Sequence, residues 1–102
     1  MVMMDDVRRV RSEYAVAFHR YRSRGQEDAL RSAYEIGRDA VVSQLSLLEV
    51  AEVHHAVLFE AMRGADDAEF DAIAGAAPRF FAEVLATFDM TTRGFIEQIA
   101  RD

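Results

Sequence analysis

The chain predicts an all-α fold: a four- to five-helix bundle that forms a homodimer. Three observations carry that expectation. Apolar residues recur at three- and four-residue steps through successive stretches and nowhere alternate in the manner of strands. Two helix-start signatures, Ser46 followed by Glu49 and Asp66 followed by Glu69, mark where helices begin. One stretch, Leu47 to Arg63, carries more apolar surface than a helix with a single neighbour can bury.

The first helix is expected over about residues 5–24. Val7, Val10, Tyr14, Ala17, Phe18 and Tyr21 fall on one face, Gly25 ends it, and Arg20, Arg22 and Arg24 offset the negative charge of its last turn. A second helix over about 26–43 opens with Glu27 and Asp28 and carries a ridge of small residues, Ala29, Ala33, Gly37 and Ala40. Glycine inside a helix costs about 1 kcal/mol relative to alanine, so Gly37 predicts that another backbone comes close there.

The third helix, about 47–63, begins at the Ser46/Glu49 capping box, with Leu45 and Val50 placed to form a hydrophobic staple, and stops at Gly64. On a wheel of roughly 100° per residue its polar residues Glu49, Glu52, Glu60 and Arg63 share one sector about 80° wide. The rest of its circumference is apolar, so it must be covered on two sides. In so short a chain a second copy is expected to supply part of that cover, with Val50, Val53 and Val57 at the dimer interface. Proline costs about 3 kcal/mol in a helix interior and little in a first turn. Pro78 therefore predicts a short fourth helix over about 67–76 and a long fifth over about 77–101. Phe81, Phe88 and Phe95, spaced seven apart with Val84 and Ile99, form a seam expected to face the interior.

Composition narrows the function. At 102 residues the chain is one domain, 1–102, with a core that stabilises it modestly and no room for a separate catalytic unit. A net charge of −6 argues against nucleic acid and anionic membrane, which both need concentrated positive surface. Without cysteine there is neither a disulfide framework nor a thiolate site. The N-terminus lacks a basic region followed by an apolar one, and no stretch is long enough to span a bilayer, so a cytoplasmic location is expected.

Candidate chemistry is sparse. Glu52-Val53-His54-His55 holds the Glu-x-x-His spacing of di-iron bundles, but a second motif is absent because Val16 precedes His19 by three. His54 and His55 point about 100° apart and cannot share one ion on an undistorted helix. His54 falls within the apolar arc, which favours a core histidine bonded to a neighbouring helix. No serine lies in a glycine-flanked elbow. The residues thus predict no catalytic, cofactor or metal site.

The order of segments resembles a known family. Ala33-Tyr34-Glu35-Ile36-Gly37-Arg38, then Leu45-Ser46-Leu47-Leu48-Glu49-Val50 leading into His54-His55, then Phe80-Phe81-Ala82-Glu83-Val84-Leu85 and Phe88-Asp89-Met90 with Arg93-Gly94-Phe95, is similar to the N-terminal domain of the RsbU-type phosphatases. The resemblance implies a small all-helical homodimer, related in architecture to the C-terminal domain of the clock protein KaiA. It also implies a regulatory, non-enzymatic role. Such a domain docks a switch protein of the histidine-kinase-like ATPase fold and so turns on a serine/threonine phosphatase, attached or associated, in stress and sigma-factor signalling.

Joined to the helical wheel, the resemblance places the partner face on the second and last helices, at Arg31, Tyr34, Glu35, Ala82, Ala86 and Arg93. Two alternatives stay open: a purely structural dimerisation module, and a small-ligand sensor with a pocket beneath the third helix.

Overall fold

The computed structural model describes residues 2–24 and 26–101, with side chains at 5–23 and 30–101. Four helices follow one another: α1 Val2–Arg24, α2 Gln26–Val42, α3 Leu47–Met62 and α4 Asp67–Arg101. No strand occurs among the described residues. The roles expected of Arg24, Gly25, Glu27, Asp28 and Ala29 lie outside the described residues. The first helix starts three residues ahead of the expected position, and the second and third each end one residue short.

Each helix contributes one stripe to a common core. Val10, Tyr14, Ala17, Phe18 and Tyr21 come from α1, Ala33, Ile36 and Ala40 from α2, Val50, Val53 and Val57 from α3, and Ile73, Ala77, Phe80 and Val84 from α4. Phe80, fully enclosed, is the hub. Tyr14 and Phe18 meet its ring edge-on at centroid distances of 5.1 and 5.6 Å, and Tyr21 tilts against it at 5.7 Å. Such arrangements set the positive edge of one ring against the negative face of another.

The turns are built from local hydrogen bonds. Gln44 takes the left-handed conformation (φ 62°) after α2, and the amides of Leu45 and Gln44 donate to the carbonyls of Ala40 and Val41 at 2.9 and 3.0 Å. These two bonds form a Schellman motif that closes the helix end. At the start of α3 the capping box is complete: the Glu49 amide donates to Ser46 Oγ at 3.1 Å, and the Ser46 amide donates to Glu49 Oε1 at 2.8 Å. Gly64, at φ 74°, turns the chain after α3. The Glu69 amide then donates to Asp66 Oδ1 at 2.8 Å, which caps α4.

Two expectations about the last helix are corrected. First, it does not break at Pro78; α4 is continuous and the bundle has four helices, not five. Proline frees the carbonyl four residues back, but Ala74 and Pro78 are both exposed, so that carbonyl is not left in a dry core. Ile73, Ala77, Phe80 and Val84 are buried on either side of the proline. At roughly 1.5–3 kcal/mol for each large side chain, their burial outweighs a cost of about 3 kcal/mol.

Second, the buried line of α4 runs through Ile73, Ala77, Phe80, Val84 and Thr87, so that of the expected seam only Val84 is fully enclosed. Phe81 and Phe88 are only half-buried, while Phe95 and Ile99 are exposed. Helix length explains the exposure. α4 has 35 residues and spans about 52 Å, whereas α2, with 17 residues, spans about 25 Å and cannot cover its far end.

The expected close approach at Gly37 is present. A Cβ built there would lie 2.6 Å from the Val84 carbonyl oxygen, 2.9 Å from Thr87 Cβ and 3.1 Å from the Phe88 amide nitrogen. α2 and α4 accordingly form the most extensive helix pair of the bundle.

Candidate partner surface

The tight crossing at Gly37 leaves a groove beyond it. Tyr34 and Arg38 of α2 face Thr87, Met90, Thr91, Gly94, Phe95 and Gln98 of α4 across a depression of about 470 Å³. Its apolar members are unusually open: Tyr34, Met90 and Phe95 all count among the exposed large hydrophobic residues. Two backbones locked together at one end thus hold an apolar patch open to solvent at the other, and contiguous exposed apolar surface of this kind marks interaction sites.

The six residues expected to face a partner do not all meet. Tyr34 sits in the α2/α4 groove. Glu35 instead lines a second cleft, about 350 Å³, between α1 and α2 with Arg20 and Val16. Arg93 is exposed beside the groove and pairs along its own helix with Asp89 at 3.1 Å. Arg31, Ala82 and Ala86 are exposed and line none of these depressions. Of the groove residues, Arg38 and Phe95 lie outside the expected partner face, Phe95 being expected in the interior seam. The signal that finds them is the mismatch in length between α2 and α4, which leaves the apolar run of α4 uncovered.

Val50, Val53 and Val57 fall elsewhere than expected. All three are buried inside the single chain, with no more than 6% of their surface exposed, so each serves the core of its own chain. The wide apolar arc of α3 divides instead into two sides. The inner side, with these valines and His54, packs on the core, while Leu48 and Phe59 on the outer side and Leu47 in the first turn stay exposed by 69, 63 and 54%. The Arg63 guanidinium lies 5.9 Å from the Phe59 ring centre.

His54 is a core residue bonded across helices. Its Nδ1 lies 2.6 Å from the Tyr14 hydroxyl, and its ring stacks on Phe81 at 3.9 Å with only 4° between planes. Burial, with repulsion from His55 adding to it, pushes the His54 pKa down to about 4. Burial likewise raises the Tyr14 phenol well above its usual range. Both groups are therefore neutral near pH 7, and a single hydrogen bond joins the phenol oxygen to Nδ1, its direction set by the imidazole tautomer. A neutral pair with its hydrogen bond already satisfied is a specificity element of the core. Among the described residues no three His, Cys, Asp or Glu side chains gather in a way that could hold a metal ion. No helix among them is long and apolar enough to cross a membrane.

The chain is similar over residues 12–91 to the family described as phosphoserine phosphatase RsbU, N-terminal domain. No curated protein matches it, and no solved structure does.

Proposed function

Because the chain belongs to the family of RsbU N-terminal domains, a regulatory and not a catalytic part of those phosphatases, we propose that it docks a switch protein and dimerises. The switch protein is a regulator of the histidine-kinase-like ATPase fold. Its docking controls an attached or associated serine/threonine phosphatase in bacterial stress and sigma-factor signalling, in the cytoplasm. The observation that carries the docking surface is the open groove between α2 and α4, where Tyr34, Met90 and Phe95 stand exposed over the crossing held by Gly37. Arg31, Ala82, Ala86 and Arg93, exposed on the same two helices but outside the groove, and Glu35, in the α1/α2 cleft, complete the proposed partner residues. Aromatic and methionine side chains supply binding energy at such sites, and the flanking charges steer association.

The dimer face is the outer side of α3. Leu48 and Phe59 share that side and stand mostly exposed, and a second copy meeting them would bury both across a two-fold axis.

The test of docking is a calorimetric titration of this domain with a switch protein of that class from the same organism. Tyr34→Ala and Ala86→Arg should each weaken binding by at least about tenfold, or about 1.4 kcal/mol, with helicity unchanged. Charge reversal at Arg93 should mainly slow association and lower its salt dependence. If all three bind as the parent does, docking does not use this surface. Dimerisation is read by light scattering. The parent should scatter as twice 11.5 kDa and Leu48→Asp as 11.5 kDa, whereas Val57→Asp should unfold by burying an unpaired charge. A parent mass of 11.5 kDa at high concentration would remove the dimer.

A further inference from the structure

We propose that the groove between α1 and α3 is a second docking site, one that takes an acidic amphipathic helix of a partner protein. The groove has a volume of about 710 Å³, with Ala15 and the part-buried Ala61 above the nearly buried Phe18 and Val57, and with Arg8, Arg11, His19 and Arg22 along the α1 rim. These rim positions recur at helical spacing, so the charges stand on one side of α1 above an apolar base.

The arginines of this rim are free. Arg8, Arg11 and Arg22 enter no ion pair or hydrogen bond among the described residues. Arg9, on the same helix but turned toward α2, shows the contrast: it meets Asp6 at 3.2 Å, Glu13 at 3.4 Å, Asp39, and Ser43 Oγ at 2.8 Å. The chain has 18 acidic residues for 12 basic ones, so unpaired cations are not forced by a shortage of carboxylates. The one carboxylate lining the groove, Glu60, faces Arg63 of its own helix at 3.8 Å. Positive charge over an apolar floor is therefore left for an occupant.

Spacing decides what kind of occupant. Arg8 and Arg22 are separated by about 21 Å along the helix axis. A single phosphate or carboxylate satisfies one end of that row and leaves the other bare. A helix of about four turns, with acidic residues on one side and apolar ones on the other, matches the whole row and lays its apolar side on Ala15 and Ala61. A nucleic-acid backbone also repeats negative charge, but a net charge of −6 on the chain as a whole disfavours it. This groove lies away from the α2/α4 groove, so it stands or falls independently of the proposed function.

The experiment is an amide NMR titration of the full chain with a synthetic helical peptide of about eighteen residues carrying glutamate on one face and leucine on the other. The same peptide with glutamine for glutamate is the control. Binding should shift the signals of Ala15, Phe18 and Ala61, should weaken as salt is added, and should fall at least about tenfold with the glutamine peptide. Combining Arg8→Glu, Arg11→Glu and Arg22→Glu should lower affinity by at least about tenfold while circular dichroism stays unchanged. Should the triple variant lose structure, Arg22→Glu alone carries the test, with about a threefold loss expected. Equal binding of the two peptides, equal binding by the variant, or shifts confined to another surface would overturn the proposal. So would movement of the groove signals on dilution of the peptide-free protein, which would assign the groove to a second copy.

Discussion

Gly37→Ala should destabilise this domain although alanine is the better helix former. The added methyl carbon would sit 2.6 Å from the Val84 carbonyl oxygen, about 0.8 Å inside ordinary contact, with Thr87 Cβ and the Phe88 nitrogen also too near. Two of those three atoms belong to a backbone within continuous helix, so no rotamer change relieves the clash. α4 must move outward. A radial gap of 0.5–1 Å forfeits roughly a quarter to a half of the dispersion energy of each contact it opens. α2 and α4 share the largest interface of the bundle, so overpacking should cost about 3 kcal/mol, the upper part of its usual range. Helix propensity returns about 1 kcal/mol. The net loss of about 2 kcal/mol corresponds to a fall in Tm of roughly 10 °C for a domain of this size.

Gly75→Ala is the matched control. Gly75 lies in α4 with nothing within 4 Å of its built Cβ, so alanine there should raise Tm by a few degrees, for a gain of roughly 0.5–1 kcal/mol. Thermal melts followed by circular dichroism read both. If Gly37→Ala rises in Tm as Gly75→Ala does, the helices are not in backbone contact at that point, and the account of the α2/α4 seam fails.

Other outcomes follow from the core and the turns. The folded chain holds the His54 pKa near 4 while the unfolded chain has it near 6.5, so between those values the unfolded state binds the additional proton. This contribution is fully present above about pH 6.5 and is lost as pH falls toward 4, to a total of about 3 kcal/mol. Urea melts across that range should show a smaller slope for Tyr14→Phe combined with His54→Leu; an unchanged slope would mean that His54 titrates normally in the fold. At Gln44, held at φ 62°, Gln44→Gly should gain about 0.5 kcal/mol, because relief of the left-handed strain exceeds the added freedom of the unfolded chain. Gln44→Val should lose about 1 kcal/mol by the same reasoning, and urea midpoints for the pair separate this from a purely side-chain effect.

Much of the fold is legible from local rules. The capping box at Ser46 and Glu49, the cap at Asp66, the apolar face of α1 and the glycine in the small-residue ridge of α2 each state a requirement that acts within a few residues. Each requirement is met in the folded chain. The excess apolar surface of α3 was likewise visible, and so was the expectation that His54 belongs to the core. Family membership was carried by the order of several such segments, none of them specific alone.

What lay beyond the sequence concerned which faces meet. Periodicity gives the angle between side chains on one helix but not the rotation of that helix against its neighbours. A rotation of about 100°, the angle between adjacent residues, therefore exchanges Phe81 for Phe80 as the enclosed ring without changing any spacing. The same ambiguity leaves open which part of the apolar arc of α3 turns inward: packing on α1 and α4 encloses Val50, Val53 and Val57 and leaves Leu47, Leu48 and Phe59 exposed. Continuity through Pro78 was decided by burial on both sides of the proline, a tertiary gain larger than the local cost. The divergence of Tyr34 and Glu35 into different grooves has the same origin: adjacent residues on a helix point apart, and only the positions of α1 and α4 determine which neighbour each one faces.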